Sequence, residues 1–166
     1  MKQKIISFGI LTVLVIAASL AVNQIKTSPK TTLSAETAEY AATIVRIGNK
    51  TFDVELALTA DQQALGLGER DSLTDNSGML FVFKPARTTT FWMKDMRFNL
   101  DMVWIRDGKV VDITRDAPAP DPQAVPADLP IYSTDQAVDY VLEIKAGSSD
   151  ELKIGDHVEI VDSRTI

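Results

Sequence analysis

Along several short stretches apolar residues alternate with polar ones, the period-2 pattern of half-buried β-strands. Thr51 to Leu58 shows it best: Phe52, Val54, Leu56 and Leu58 point one way, Asp53 and Glu55 the other. The β-branched run Thr43 to Ile47 precedes it across Gly48-Asn49, so the two predict a hairpin. Thr59-Ala60-Asp61-Gln62 has the form of a capping box, with Thr59 as N-cap and Gln62 at N3. Gly66 and Gly68 arrive within two turns and keep that helix short. After the turn Asn76-Ser77-Gly78, Met79 to Phe83 is apolar without a break, which predicts a strand covered on both faces and ended by Pro85. Thr88 to Met93 and Leu100 to Ile105 read as strands joined by a turn over Lys94 to Asn99. Asp107-Gly108 is the strongest two-residue hairpin signal and leads into Lys109 to Thr114. Val138 to Ile144 alternates again, with Val138, Tyr140, Leu142 and Ile144 on one face, and Ile154-Gly155-Asp156 turns the chain into His157 to Val161.

Together these segments predict a mainly β domain (α+β in a minor sense): a compact, mainly antiparallel sheet or small barrel-like domain of seven to eight strands with one short helix. Five of the seven prolines fall at 118, 120, 122, 126 and 130, so roughly 20 residues there form a loop of the kind that is usually functional or mobile. The amino terminus breaks the pattern. Lys2 and Lys4 precede the apolar run Ile5 to Val22, interrupted only by Ser7, Gly9, Thr12 and Ser19. That is the form of a signal peptide, with Ser19-Leu20-Ala21 at a plausible cleavage site. At ~1.5 Å per residue the run also nearly spans a bilayer core, so residues 1–22 are either a cleaved signal or a retained membrane anchor. Residues 23–42 lack apolar periodicity and read as a flexible linker, which leaves 43–166 as the folded domain. The expected location is exported, periplasmic or extracytoplasmic, with membrane association through residues 5–22 if the anchor stays.

Charge and composition narrow the chemistry. The 166 residues carry a net charge of −6; without Lys2 and Lys4 the 17 basic residues become 15 against 23 acidic ones, a net charge of −8. Such a domain repels phosphate backbones, so no nucleic-acid partner is expected. There is no cysteine, which excludes disulfides, thiolate metal sites and cysteine chemistry. One histidine, His157, cannot build a His-rich zinc site, and it reads as a partly exposed strand residue. Asp112, Asp116, Asp121 and Asp128 match no EF-hand spacing and read as a solvated face. No Gly-rich phosphate loop or Gly-x-Ser-x-Gly elbow is present, and neither a metal nor a cofactor is expected.

The segment Gly78 to Ile105 concentrates what remains, including both tryptophans and four of the five methionines. Period 2 puts Thr90, Trp92 and Lys94 on one face of their strand, with Phe91 and Met93 on the other. On the next strand Leu100, Met102 and Trp104 share a face, which leaves Asp101 in an apolar row with Val103 and Ile105. A carboxylate buried there needs a cation or several N–H donors. Lys94, Arg97 and Arg70 are the candidate cations. Arg70, Trp92, Met93, Lys94 and Asp101 are therefore the candidate ligand-binding residues. The competing reading is a core ion pair that merely fixes the turn.

Several motifs in fixed order carry a resemblance: Thr59 with Gln63-Ala-Leu-Gly-Leu, Gly78-Met-Leu-Phe-Val-Phe, Phe91-Trp-Met-Lys, Leu100-Asp101, Asp107-Gly-Lys, Tyr140-Val-Leu-Glu and Gly155-Asp-His-Val. Over about Ala42 to Ile160 the chain resembles the DUF192 (UPF0127) family, which is essentially uncharacterised. The resemblance implies an export signal or anchor followed by a single mainly β domain. The chain departs from the family pattern at Gly68, where a methionine is usual, and at Lys94-Asp95-Met96. It also lacks the cysteines that many relatives carry in the Pro-rich loop. The preferred functional reading is a non-enzymatic, exported envelope domain that binds a small ligand or an envelope protein near Trp92, Lys94 and Asp101. The alternatives are an envelope hydrolase or lyase with Asp101 as general base, stabilised by Lys94 or Arg70, and a purely structural domain of a membrane complex.

Overall fold

The structure, a computed structural model, describes residues 40–161. The predicted signal or anchor at 1–22 and nearly all of the predicted linker lie outside the described residues. No helix among the described residues is long and apolar enough to cross a membrane.

The first hairpin forms as its pattern dictates: β1 (Ala42–Ile47) pairs antiparallel with β2 (Lys50–Ala57), with Gly48 at φ +59° in the turn. The capping box is also realised, Thr59 Oγ1 accepting from Gln62 N while Gln62 Oε1 accepts from Thr59 N, and α1 (Ala60–Leu65) stops at Gly66. Helix α1 and the turns after it form the crossover that lets β3 (Ser77–Arg87) lie parallel to β2. Among the described residues that pairing is the one exception to the mainly antiparallel sheet expected. The chain continues through β4 (Thr90–Trp92), β5 (Leu100–Arg106), β6 (Lys109–Ala117), a 3₁₀ turn at Pro126–Asp128, β7 (Ile131–Ser133), β8 (Val138–Lys145) and β9 (Val158–Val161).

Seven strands form one sheet in the order β6-β5-β8-β3-β2-β1-β9. It curls into a half-barrel, and its far edges meet: Lys109 bridges His157, and Val110 N donates to Asp156 O. Every one of the seven strands contributes to the apolar cluster that fills the curl, including Val45, Phe52, Leu80, Ile105, Leu142 and Val158. A second cluster lies on the other face of the sheet, with Met79, Phe81, Met102, Trp104 and Val141 covered by Leu67, Met93 and Phe91. Strands β3 and β5 supply both clusters with alternate residues, which is why their sequences read as unbroken apolar runs. The face assignment on β5 holds: Leu100, Met102 and Trp104 join one cluster, Val103 and Ile105 the other.

Several sequence expectations need correcting. Pro85 does not end β3, because the strand runs on to Arg87 through a cis Lys84-Pro85 bond. The register with β8 shifts between Val82 and Arg87, so no ladder hydrogen bond is asked of a residue that has no N–H. The strand expected at Thr88 to Met93 shrinks to Thr90–Trp92 and leaves the main sheet, pairing with β7 in a two-stranded sheet of its own. β7 itself is the strand the Pro-rich loop concealed, and with it the described residues hold nine strands where seven or eight were expected. The same register shift moves Val138 off the face it was to share with Tyr140, Leu142 and Ile144, and it packs with Val141 instead.

Ser149 Oγ is buried without a hydrogen-bond partner among the described residues. Replacing it by alanine removes an unsatisfied hydroxyl and leaves the Ser149 backbone in place. Ser149→Ala is therefore expected to be neutral or to stabilise the fold by up to about 1 kcal/mol in urea unfolding. A loss of stability would show that the hydroxyl has a partner in solution.

Candidate functional site

The five residues singled out from sequence are not gathered at one place. Asp101 is fully buried and takes neither Lys94, Arg97 nor Arg70 as partner. Its oxygens accept two backbone N–H groups instead, from Asp116 and from Ser149, each at 2.9 Å. The reason is a bulge: β6 sets two residues, Arg115 and Asp116, against the single Asp101 of β5, and Asp116 sits at φ +50°. Asn99 and Arg115 complete the clamp, Asn99 Nδ2 donating to Asp116 Oδ1 and Arg115 Nη2 to the carbonyl of Leu152. Asp101 thus anchors a bulge and the loop after β8. Met93 is buried in the second cluster. Arg70 forms a bidentate pair with Glu55, at 2.7 and 2.8 Å, and fastens the segment after α1 to β2. That hydrogen-bonded guanidinium holds the Glu55 carboxyl below its ordinary value.

Trp92 and Lys94 do meet, at the mouth of a cleft of about 330 Å³ between α1 with its following turn and β3–β4. Its walls include Phe81, Phe83 and Phe91, which pack edge to face: Phe81 and Phe91 are 4.8 Å apart at 85°, Phe83 and Phe91 6.4 Å at 81°. Trp92 is 45% exposed and Leu65 51%, so the mouth offers apolar side chains beside the Lys94 ammonium. Gln63 secures the helix beneath it, its Nε2 donating to the carbonyls of Ala57 and Val82.

The floor holds the residue the sequence reading missed. Glu143, on β8 between β3 and β5, lies directly across from Met79 and Met102, and only 5% of it is exposed. No hydrogen bond or ion pair reaches its carboxyl group among the described residues. Burial alone pushes its pKa from 4.5 up to about 8, so it is protonated at neutral pH. One oxygen lies under Gly66: a Cβ there would stand 3.9 Å from Glu143 Oε2 and 3.3 Å from Phe81. With φ +55° as well, glycine is what lets the helix terminus close this near the carboxyl. The signal was present in Tyr140-Val-Leu-Glu: Val141 and Glu143 share a face in period 2, so the apolar face of β8 opposite Leu142 and Ile144 carries a carboxyl.

The family model DUF192, described as "Uncharacterized ACR", matches residues 43–160. The chain belongs to the DUF192 family. Two crystal structures resemble it throughout the folded part. One is a proposed transcription regulator from Sinorhizobium meliloti, 32% identical, with a TM-score of 0.64 over 74% of this chain and 95% of that one. The other is a protein of unknown function from Novosphingobium aromaticivorans, 33% identical, with a TM-score of 0.62 over 78% of this chain and 98% of that one. No protein of curated function matches. Stretches that carry the DUF192 resemblance converge in space. Gln63 to Leu67, Phe81 and Phe83, Phe91 to Lys94 without Met93, and Glu143 all line the one cleft.

Proposed function

We propose that this DUF192 domain is a non-enzymatic binding module that takes a small ligand in the cleft floored by Glu143, and that it works in the cell envelope. The location rests on the amino-terminal sequence pattern. The binding reading rests above all on one observation: a buried carboxyl with no partner among the described residues faces an open cleft. A ligand in the cleft would give that carboxyl the partner that the protein does not supply. The volume lies at the lower end of small-molecule sites, which run from roughly 300 to 1,000 Å³. Aromatic walls, an exposed tryptophan at the mouth and one polar group at the floor match how such sites combine affinity with orientation.

The hydrolase reading based on Asp101 has less support, since both its carboxyl oxygens are occupied by backbone N–H groups and it lines none of the clefts described. A purely structural role leaves the cleft without a purpose.

The test is a thermal-shift screen of small amines, alcohols and carboxylic acids, followed by titration of the hits. A compound that stabilises the chain should also quench Trp92, and Trp92→Ala should weaken it at least tenfold while moving Tm little, because Trp92 is half exposed. If nothing in the screen binds, or if hits bind Trp92→Ala unchanged, the cleft is not the site.

A further inference from the structure

We infer that the ligand of this cleft is a small aryl- or alkylamine, whose ammonium group pairs with the carboxylate of Glu143 while its apolar part leaves the cleft between Leu65 and Trp92. This names the ligand class for the site proposed above and rests on that reading.

Three observations carry it. First, Glu143 lacks a counter-charge although two cations line its cleft. Lys94 is engaged by Asp95 at the mouth. Arg87 donates to Gln63 Oε1 at 3.2 Å and stacks on Phe83, its guanidinium carbon 4.7 Å from the ring centroid. Both are held away from the carboxyl, so the place of a cation beside Glu143 is left open. Second, among the described residues the elements packed around Glu143 present no other titratable group to it: β3 offers Met79 and Phe81, β5 offers Met102 and Trp104, and the turn after α1 offers Gly66 and Leu67. Phe81, Phe83 and Phe91 line the same space, and aromatic rings accept an ammonium group better than aliphatic walls do. Third, one side of the way out is apolar. Leu65 and Trp92 are exposed at the mouth, and Ile131, 60% exposed, sits opposite Trp92 across the β4–β7 pair.

Charge decides between ligand classes. A neutral hydroxyl would gain one ordinary hydrogen bond, whereas an ammonium–carboxylate pair makes a charge-assisted bond about twice as strong. An anionic ligand would accept the Glu143 proton in one charge-assisted hydrogen bond, and the carboxylic acids of the wider screen test that competing class. The proton balance is simple. In solution the amine is R–NH₃⁺ and Glu143 is –COOH; in the complex they are R–NH₃⁺ and –COO⁻, and one proton leaves to the solvent. Binding should therefore tighten as pH rises towards the titration of Glu143 near 8.

The experiment is calorimetry on the full chain with 2-phenylethylamine and hexylamine, each against its alcohol analogue, in phosphate and in MOPS at pH 6.5 to 8. The amines are expected to bind at least tenfold tighter than the alcohols. They should release close to one proton at the low end of that range, read from the difference between the two buffers, and Glu143→Gln should erase both the preference and the proton. A Tm of Glu143→Gln no lower than that of the native chain at the same pH, or its retained binding of the alcohols, shows that the fold survives the change. Equal affinity for amine and alcohol, no proton release, or undiminished amine binding by Glu143→Gln would overturn the inference. If alcohols bind and amines do not, the amine inference fails and the cleft stands; if no compound of the wider screen binds, the cleft reading itself fails.

Discussion

Glu143→Met should make the domain more stable than the native chain at pH 8 and should flatten its stability between about pH 5 and 8. Glu143 has an ordinary value of 4.5 in the unfolded chain and about 8 in the folded one. Below the lower value both states carry the proton, and the group contributes no pH dependence. Between the two values the unfolded chain ionises and the folded chain does not, so stability falls as pH rises. Above about 8 both are ionised and the fall stops. At ~1.36 kcal/mol for each pH unit between the two values, the native chain should lose up to about 4–5 kcal/mol across this window. Methionine has a similar volume, joins Met79 and Met102 on the same face, and titrates nowhere. Urea unfolding of both chains at pH 4, 6 and 8 tests this. Curves that stay parallel would mean that Glu143 has a partner in solution and that its cleft is not apolar.

The second large effect is expected at Asp101, in the opposite direction. Asp101→Ala leaves the N–H groups of Asp116 and Ser149 buried without acceptors, and each orphaned donor costs about 1–3 kcal/mol. A loss of roughly 3–5 kcal/mol is expected, a large fraction of the stability of a domain this size. Asp101→Asn keeps the volume and one acceptor oxygen and should lose about half as much. Ligand affinity, measured where both variants remain folded, should not change. If Asp101→Ala instead keeps its stability and abolishes binding, Asp101 belongs to the site and the placement of the site at Glu143 is wrong. The two carboxyls thus differ in kind. Asp101 is buried and satisfied and holds the fold; Glu143 lies at the floor of a cleft with no protein partner among the described residues, and the fold stands in spite of it.

Much of this was legible from the chain because it is local. The hairpins at Gly48-Asn49 and Asp107-Gly108 depend on a few adjacent residues, as does the capping box of Thr59 and Gln62, and all three form as read. Period 2 also fixed the two faces of β5 and so the burial of Asp101, since alternation needs only the strand to exist. What Asp101 would pair with was a different question. Its partners are backbone N–H groups 15 and 48 residues away, donors that every residue but proline carries and that side-chain identity does not reveal. Reading from side chains pointed to Lys94, Arg97 and Arg70, which the fold spends elsewhere.

The sequence by itself therefore determined that the chain is mainly β, where most strands lie, and which residues share a face, because those follow from periodicity and turn chemistry. Only the tertiary structure decided which strands are neighbours. It placed β8 between β3 and β5 and brought the turn after α1 over that point, and this long-range arrangement buries Glu143 with no cation paired to it among the described residues. A carboxyl's environment is a property of the chain segments packed around it, and those segments come from positions 66, 81 and 102 as much as from 143.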